Sequence, residues 1–156
     1  MLPTYSMPKL KDLSQGSRIT FVREFRLMSL NDVSDKLGLK GKDKGKTMTR
    51  YEKEKISPKD DRLLEITEIL KVSTNSIKEY KFEKSIDLIY HFMWLEELLP
   101  NYRIDLCDVP NINHKDSILF KKCLEEWNIM RAKRAKREIS YETYIEWKLN
   151  YEIEND

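Results

Sequence analysis

Between Ile19 and Tyr80, apolar residues recur every three or four positions and are separated by short polar breaks, the pattern of a series of short amphipathic helices. Gly16-Ser17 opens the first helix, with Ser17 as its N-cap and Ile19, Val22, Phe25 and Arg26 at helical spacing. Ser29 caps a second, "LNDVSDKL", whose Leu30, Val33 and Leu37 share an inner face. Gly38 follows at the position where a left-handed residue closes a helix. The stretch "LKGKDKGK", residues 39–46, has no apolar residue after Leu39 and reads as a loop. "TMTRYEKE" reads as a third short helix. Pro58 stands ahead of a fourth, with Leu63, Leu64, Ile66 and Leu70 as core. Ser73 caps a fifth, with Ile77 and Tyr80 facing inward. Five short helices over residues 16–80 predict a compact all-α unit preceded by a loosely held arm, residues 1–15, that contains Pro3 and Pro8.

After Tyr80 the pattern changes. "SIDLIYHFMWLEELLP" is apolar almost all round, as in a helix covered on more than one side. "YRIDLCDV" alternates Tyr102, Ile104 and Leu106 and predicts one short strand. "SILFKKCLEEWNIMRAKRAKRE" is a long helix with Leu119, Cys123, Trp127 and Met130 on one stripe, ending in a solvated basic run, residues 131–138. Ser140 begins a last helix with Tyr144, Trp147 and Tyr151 on one face. Residues 81–156 are therefore expected to form a second, mostly helical unit. The fold class expected for the whole chain is all-α in the main.

Composition sharpens this picture. Only four Gly and five Pro among 156 residues, with 36% charged, fit helices joined by short connections. No window approaches eighteen consecutive apolar residues, so no membrane span is expected. The start, "MLPTYSMPKLKDLSQ", has no apolar core of a signal peptide, which predicts a cytoplasmic protein. The net charge is only +2, but it is unevenly placed. Residues 1–80 hold 17 Lys and Arg against 12 Asp and Glu, whereas residues 81–156 hold 12 against 15. A polyanionic partner would therefore meet the first half. The second half carries 11 of the 16 aromatic residues, including all three Trp, and is suited to packing against itself or another copy.

Candidate catalytic chemistry is sparse. Cys107 and Cys123 read as free thiols, and together with His91 and His114 they lack any C-x-x-C or H-x-x-x-H metal spacing. The sequence has no Gly-rich phosphate loop, Cys-His pairing or paired carboxylates at a useful spacing. Neither an enzyme nor a cofactor is expected.

The order helix, Gly38, connection, helix, with one helix before it and two after, resembles the Cro/CI-like (XRE-type) helix-turn-helix family, whose DNA-binding domain has the five-helix lambda-repressor-like fold. "RITFVREFRLMS" resembles the family's first helix with its R-x-x-R ending. Ser34 sits where the family places a small residue at the helix crossing, and Leu37-Gly38 resembles its Leu-Gly turn. "TRYEKEKISP" resembles the S-R-Y-E-x-G-x-x-x-P signature, and "LLEITEILKVSTNSI" the closing segment. Three departures are visible: Leu30 stands where a Gln is common, Glu54 stands where the signature has Gly, and the connection 39–46 is long. That long connection is similar to the one in a subset of the family from Gram-positive bacteria and their mobile elements. The resemblance covers residues 16–80 most fully and extends more loosely into 81–156, through "LEE" at 95–97 and "IEWKLNY".

The resemblance implies a sequence-specific regulator of transcription, a repressor, that binds double-stranded DNA as a homodimer with its third helix in the major groove. Base reading needs short hydrogen-bonding side chains and an Arg, supplied by Thr47, Thr49 and Arg50. Phosphate contacts need cations, supplied by Lys42, Lys44, Lys46, Lys53 and Lys55. In the family pattern Tyr51 and Glu52 hold the third helix to the body, while Glu54 would bring a negative charge close to the groove. The competing reading is a protein-binding module on the same fold, an antitoxin-like or phage-encoded inhibitor.

Overall fold

Ser14, rather than Ser17, starts the first helix. Its side chain accepts a hydrogen bond from the Ser17 backbone N–H, and helix α1 runs Gln15–Phe25. The computed structural model describes residues 6–100 and 115–153. Seven further helices follow among the described residues: α2 Leu30–Lys36, α3 Gly45–Glu52, α4 Asp60–Leu70, α5 Thr74–Ile77, α6 Ile86–Leu98, α7 Lys115–Ala135 and α8 Tyr141–Leu149. No described residue lies in a strand, so the fold is all-α. The strand expected around residues 102–109, together with Cys107 and His114, lies outside the described residues. No described helix is long and apolar enough to cross a membrane. The chain divides into two compact units, Met1–Lys78 and Glu79–Asp156.

In the first unit the helices converge on Ile19, Val22, Val33, Met48, Ile66, Leu70 and Ile77, none of which retains any exposure. Complete burial of side chains of this size stabilises by about 1.5–3 kcal/mol each, before the entropy of ordering them is counted. Leu64 departs from the expected core: it is 52% exposed, because Leu63, Ile66 and Leu70 already define the inner face of α4. Polar side chains of α1 fasten the far end of the unit. Gln15 donates to the Ile77 carbonyl (3.2 Å), and Arg18 donates to those of Ser76 (3.2 Å) and Lys78 (3.0 Å). Arg26 donates to the carbonyls of Leu70 (2.7 Å) and Lys71 (3.0 Å). It thereby supplies the cation that the last turn of α4 lacks.

With so few glycines, several helices end on a side chain held in the left-handed region. Leu27, Glu54, Lys71 and Arg137 close α1, α3, α4 and α7 at φ of 55–60°. In each case the following N–H reaches back one full turn, as Met28 does to the Arg23 carbonyl and Lys55 to that of Arg50. Leu27 is 72% exposed, so its side chain makes little packing to offset the strained backbone. Leu27→Gly is therefore expected to stabilise the first unit by about 1 kcal/mol, seen as a higher urea midpoint with unchanged slope.

The second unit packs Ile89, Tyr90 and Met93 of α6 against Cys123, Leu124 and Trp127 of α7 and Tyr144 of α8, with Tyr151 just beyond it. A polar seam runs through this core. Lys148 donates to the Met93 carbonyl (3.3 Å), to Glu96 (3.0 Å) and to Glu97. The Trp127 indole donates to the Tyr144 hydroxyl (2.9 Å), which donates to Glu96 (2.6 Å), and Tyr141 donates to Glu97. Burial first, and then the neighbouring carboxylates, push the Tyr141 and Tyr144 phenols well above their ordinary range. They remain neutral donors. The aromatic stripe of the last helix is thus spent on the unit's own core.

Candidate nucleic-acid interface

The surface expected to meet DNA is built from α2, the connection after it, and α3. Ser29 and Asp32 form a reciprocal cap at the start of α2: Asp32 N–H donates to the Ser29 hydroxyl (3.0 Å) and Ser29 N–H to the Asp32 carboxylate (2.6 Å). The helix ends at Gly38, where φ is +76°, with Gly38 N–H on the Asp35 carbonyl (3.0 Å) and Leu39 N–H on that of Ser34 (3.0 Å). Ser34 is fully buried and donates its hydroxyl to the Leu30 carbonyl (2.7 Å), a small side chain beside Val33 on the buried face of α2.

Helix α3 begins at Gly45, two residues before Thr47, and the first atoms a Cβ at Gly45 would meet belong to Asn31 and Leu30 of α2. Its inward face is Met48 and Tyr51, both buried. Glu52 completes the attachment by accepting two hydrogen bonds from Arg23 of α1, at 2.6 and 3.1 Å. Arg23 also donates to the Met28 carbonyl (2.8 Å), and its bond to Glu52 raises the guanidinium's pKa further. Tyr51 and Glu52 thus anchor the helix, which leaves its opposite face free.

That opposite face carries Lys46, Arg50 and Lys53 at i, i+4 and i+7, all exposed. Among the described residues the Arg50 guanidinium makes no ion pair or hydrogen bond. Thr47 and Thr49 flank the stripe and are half-buried. The Thr49 hydroxyl donates to the Gly45 carbonyl (2.9 Å), so towards solvent it can still accept a hydrogen bond and present its methyl group. Lys42 and Lys55 are exposed at either end. Lys44 is ion-paired with Asp35, and Lys46 with Asp43 at 3.0 Å; both pairs are solvent-accessible, so they are weak and exchangeable for a phosphate. Two exposed residues beside this surface, Asn31 and Lys40, were not among the expected set; position alone reveals them.

Glu54 does not lie as the sequence suggests. Its backbone takes a left-handed φ of 56°, a region glycine enters at no steric cost, and its carboxylate accepts the Gly16 N–H at the start of α1. The negative charge sits on the positive end of a helix, where it is stabilised. Comparison with protein-family models, curated proteins and solved structures finds no match.

Proposed function

We propose that the chain is a sequence-specific double-stranded DNA-binding regulator of transcription, a Cro/CI-like repressor that places α3 in the major groove and binds as a homodimer. The observation that carries this reading is the division of labour on α3: Met48, Tyr51 and Glu52 hold the helix, and Lys46, Arg50 and Lys53 face outward with Thr47 and Thr49 beside them. A helix fixed by one face and lined on the other with short hydroxyls, a free guanidinium and cations suits base edges flanked by phosphates. Two copies related by a two-fold axis would present two such helices to two half-sites one helical turn apart. Lys42, Lys44 and Lys55 extend the cationic rim on which non-specific affinity depends.

A gel shift with the DNA upstream of the protein's own gene tests the proposal, since repressors commonly act there; a retarded band that survives excess random duplex is expected. Binding no tighter than to random duplex would refute it. Lys44→Ala is expected to weaken all sequences alike and to flatten the dependence of log affinity on log salt by about one contact. A loss confined to the preferred site would reassign Lys44 to base reading.

A further inference from the structure

Helix α7 keeps one face inside the second unit and leaves another bare. Cys123, Leu124 and Trp127 are buried, whereas Ile118 is 64% and Ile129 57% exposed. The two isoleucines are three turns apart on one stripe, about 16 Å along the axis. Between them the stripe carries Lys121, exposed, Lys122, half-buried, and Glu125, exposed.

This order, apolar, basic, acidic, apolar, is self-complementary when reversed. If α7 is laid antiparallel on a copy of itself, with the two-fold axis between Cys123 and Leu124, Ile118 faces Ile129 of the other copy and Lys122 faces its Glu125. Each contact then occurs twice, as an isologous interface requires. A parallel pairing would set Lys on Lys and Glu on Glu, which repel. By contrast, Leu88 of α6 and Leu99 at its C-cap are less exposed, and no alternation of charge separates them that would select a partner.

We propose that the exposed face of α7 is the seam of a homodimer, in which two copies of the chain pair antiparallel through Ile118, Lys122, Glu125 and Ile129. The proposal rests on the dimeric regulator described above and specifies where its two copies meet. The seam lies wholly in the second unit.

The test is a charge exchange on the full chain, read by sedimentation equilibrium at micromolar concentration, with a gel shift run in parallel. Lys122→Glu and Glu125→Lys should each raise the dimer dissociation constant on the order of tenfold, because each variant turns two attractive pairs into two repulsive ones. The double variant should return it to near the wild-type value. Ile129→Glu should leave a monomer, and because Ile129 is exposed the helix content should not change. If the wild type is monomeric, or if the double variant is no better than the singles, the seam is wrong. A dimer indifferent to all four variants that still shifts its DNA would overturn the seam and leave the regulator intact. A seam that responds as expected in a chain that shifts no DNA would do the opposite.

Discussion

Replacing Gly16 by Ala is expected to cost about 2–3 kcal/mol of the first unit's stability and to loosen α3 with it. A Cβ at this position would lie 2.5 Å from the Glu52 carbonyl oxygen and 2.6 Å from that of Tyr51. Both are backbone atoms at the end of α3, so neither can swing aside as a side-chain tip could. The Glu54 carboxylate, which accepts the Gly16 N–H, would be crowded as well. Helix propensity alone favours Ala over Gly by up to about 1 kcal/mol, so the contact with α3 must decide the sign. All three Trp lie in the second unit, so their fluorescence reports that unit alone, while circular dichroism reports both. The expected result in urea is an early loss of helix signal with the Trp transition unmoved. An unchanged or stabilised helix signal would mean that α1 and α3 are not in such close approach.

Glu52→Ala is expected to cost about 3 kcal/mol, at the lower end of what removing one partner of a buried ion pair costs. Side-chain exposure is only 12% for Arg23 and 9% for Glu52, so the guanidinium would be left largely desolvated with the Met28 carbonyl as its remaining partner. The pair itself need not contribute that much. Replacing both residues by apolar ones, Arg23→Met with Glu52→Leu, should recover most of the loss, because no charge is then stranded. A double-mutant cycle on the same urea transition checks this. If Glu52→Ala costs under about 0.5 kcal/mol, the pair behaves as an ordinary surface contact and something else holds α3.

Where the fold obeys short-range rules, the sequence announces it. Ser29, Ser73 and Ser140 each cap the helix that follows, and Gly38 takes its positive φ, because each depends on a few neighbouring residues only. Gly16 differs from its sequence expectation for a physical reason. Beside Ser17 it looks like the break before a helix, yet it lies inside α1 so that the backbone of α3 can approach. The acceptor role of Glu54 is hidden from local sequence in the same way, since it depends on a partner 38 residues away. Tyr80, expected to face inward from the fifth helix, lies beyond α5, which ends at Ile77, and stacks on Tyr90 of α6, a contact no local pattern encodes. The lysines of the connection could be read as exposed cations, but not their pairing with Asp35 and Asp43. The outward stripe of α3 needed only helical spacing once Tyr51 and Glu52 were placed inward.

The most direct test of the central claim, that α3 reads bases through Arg50, compares wild type and Arg50→Ala by fluorescence anisotropy. Each is titrated with the preferred operator, with a set of operators carrying one substituted base pair each, and with random duplex. Arg50→Ala should lose about 1–3 kcal/mol on the preferred site, keep its random-duplex affinity within a salt-dependent single contact, and stop discriminating at one base pair per half-site only. Equal losses on all three kinds of DNA, or no loss on any, would contradict the account.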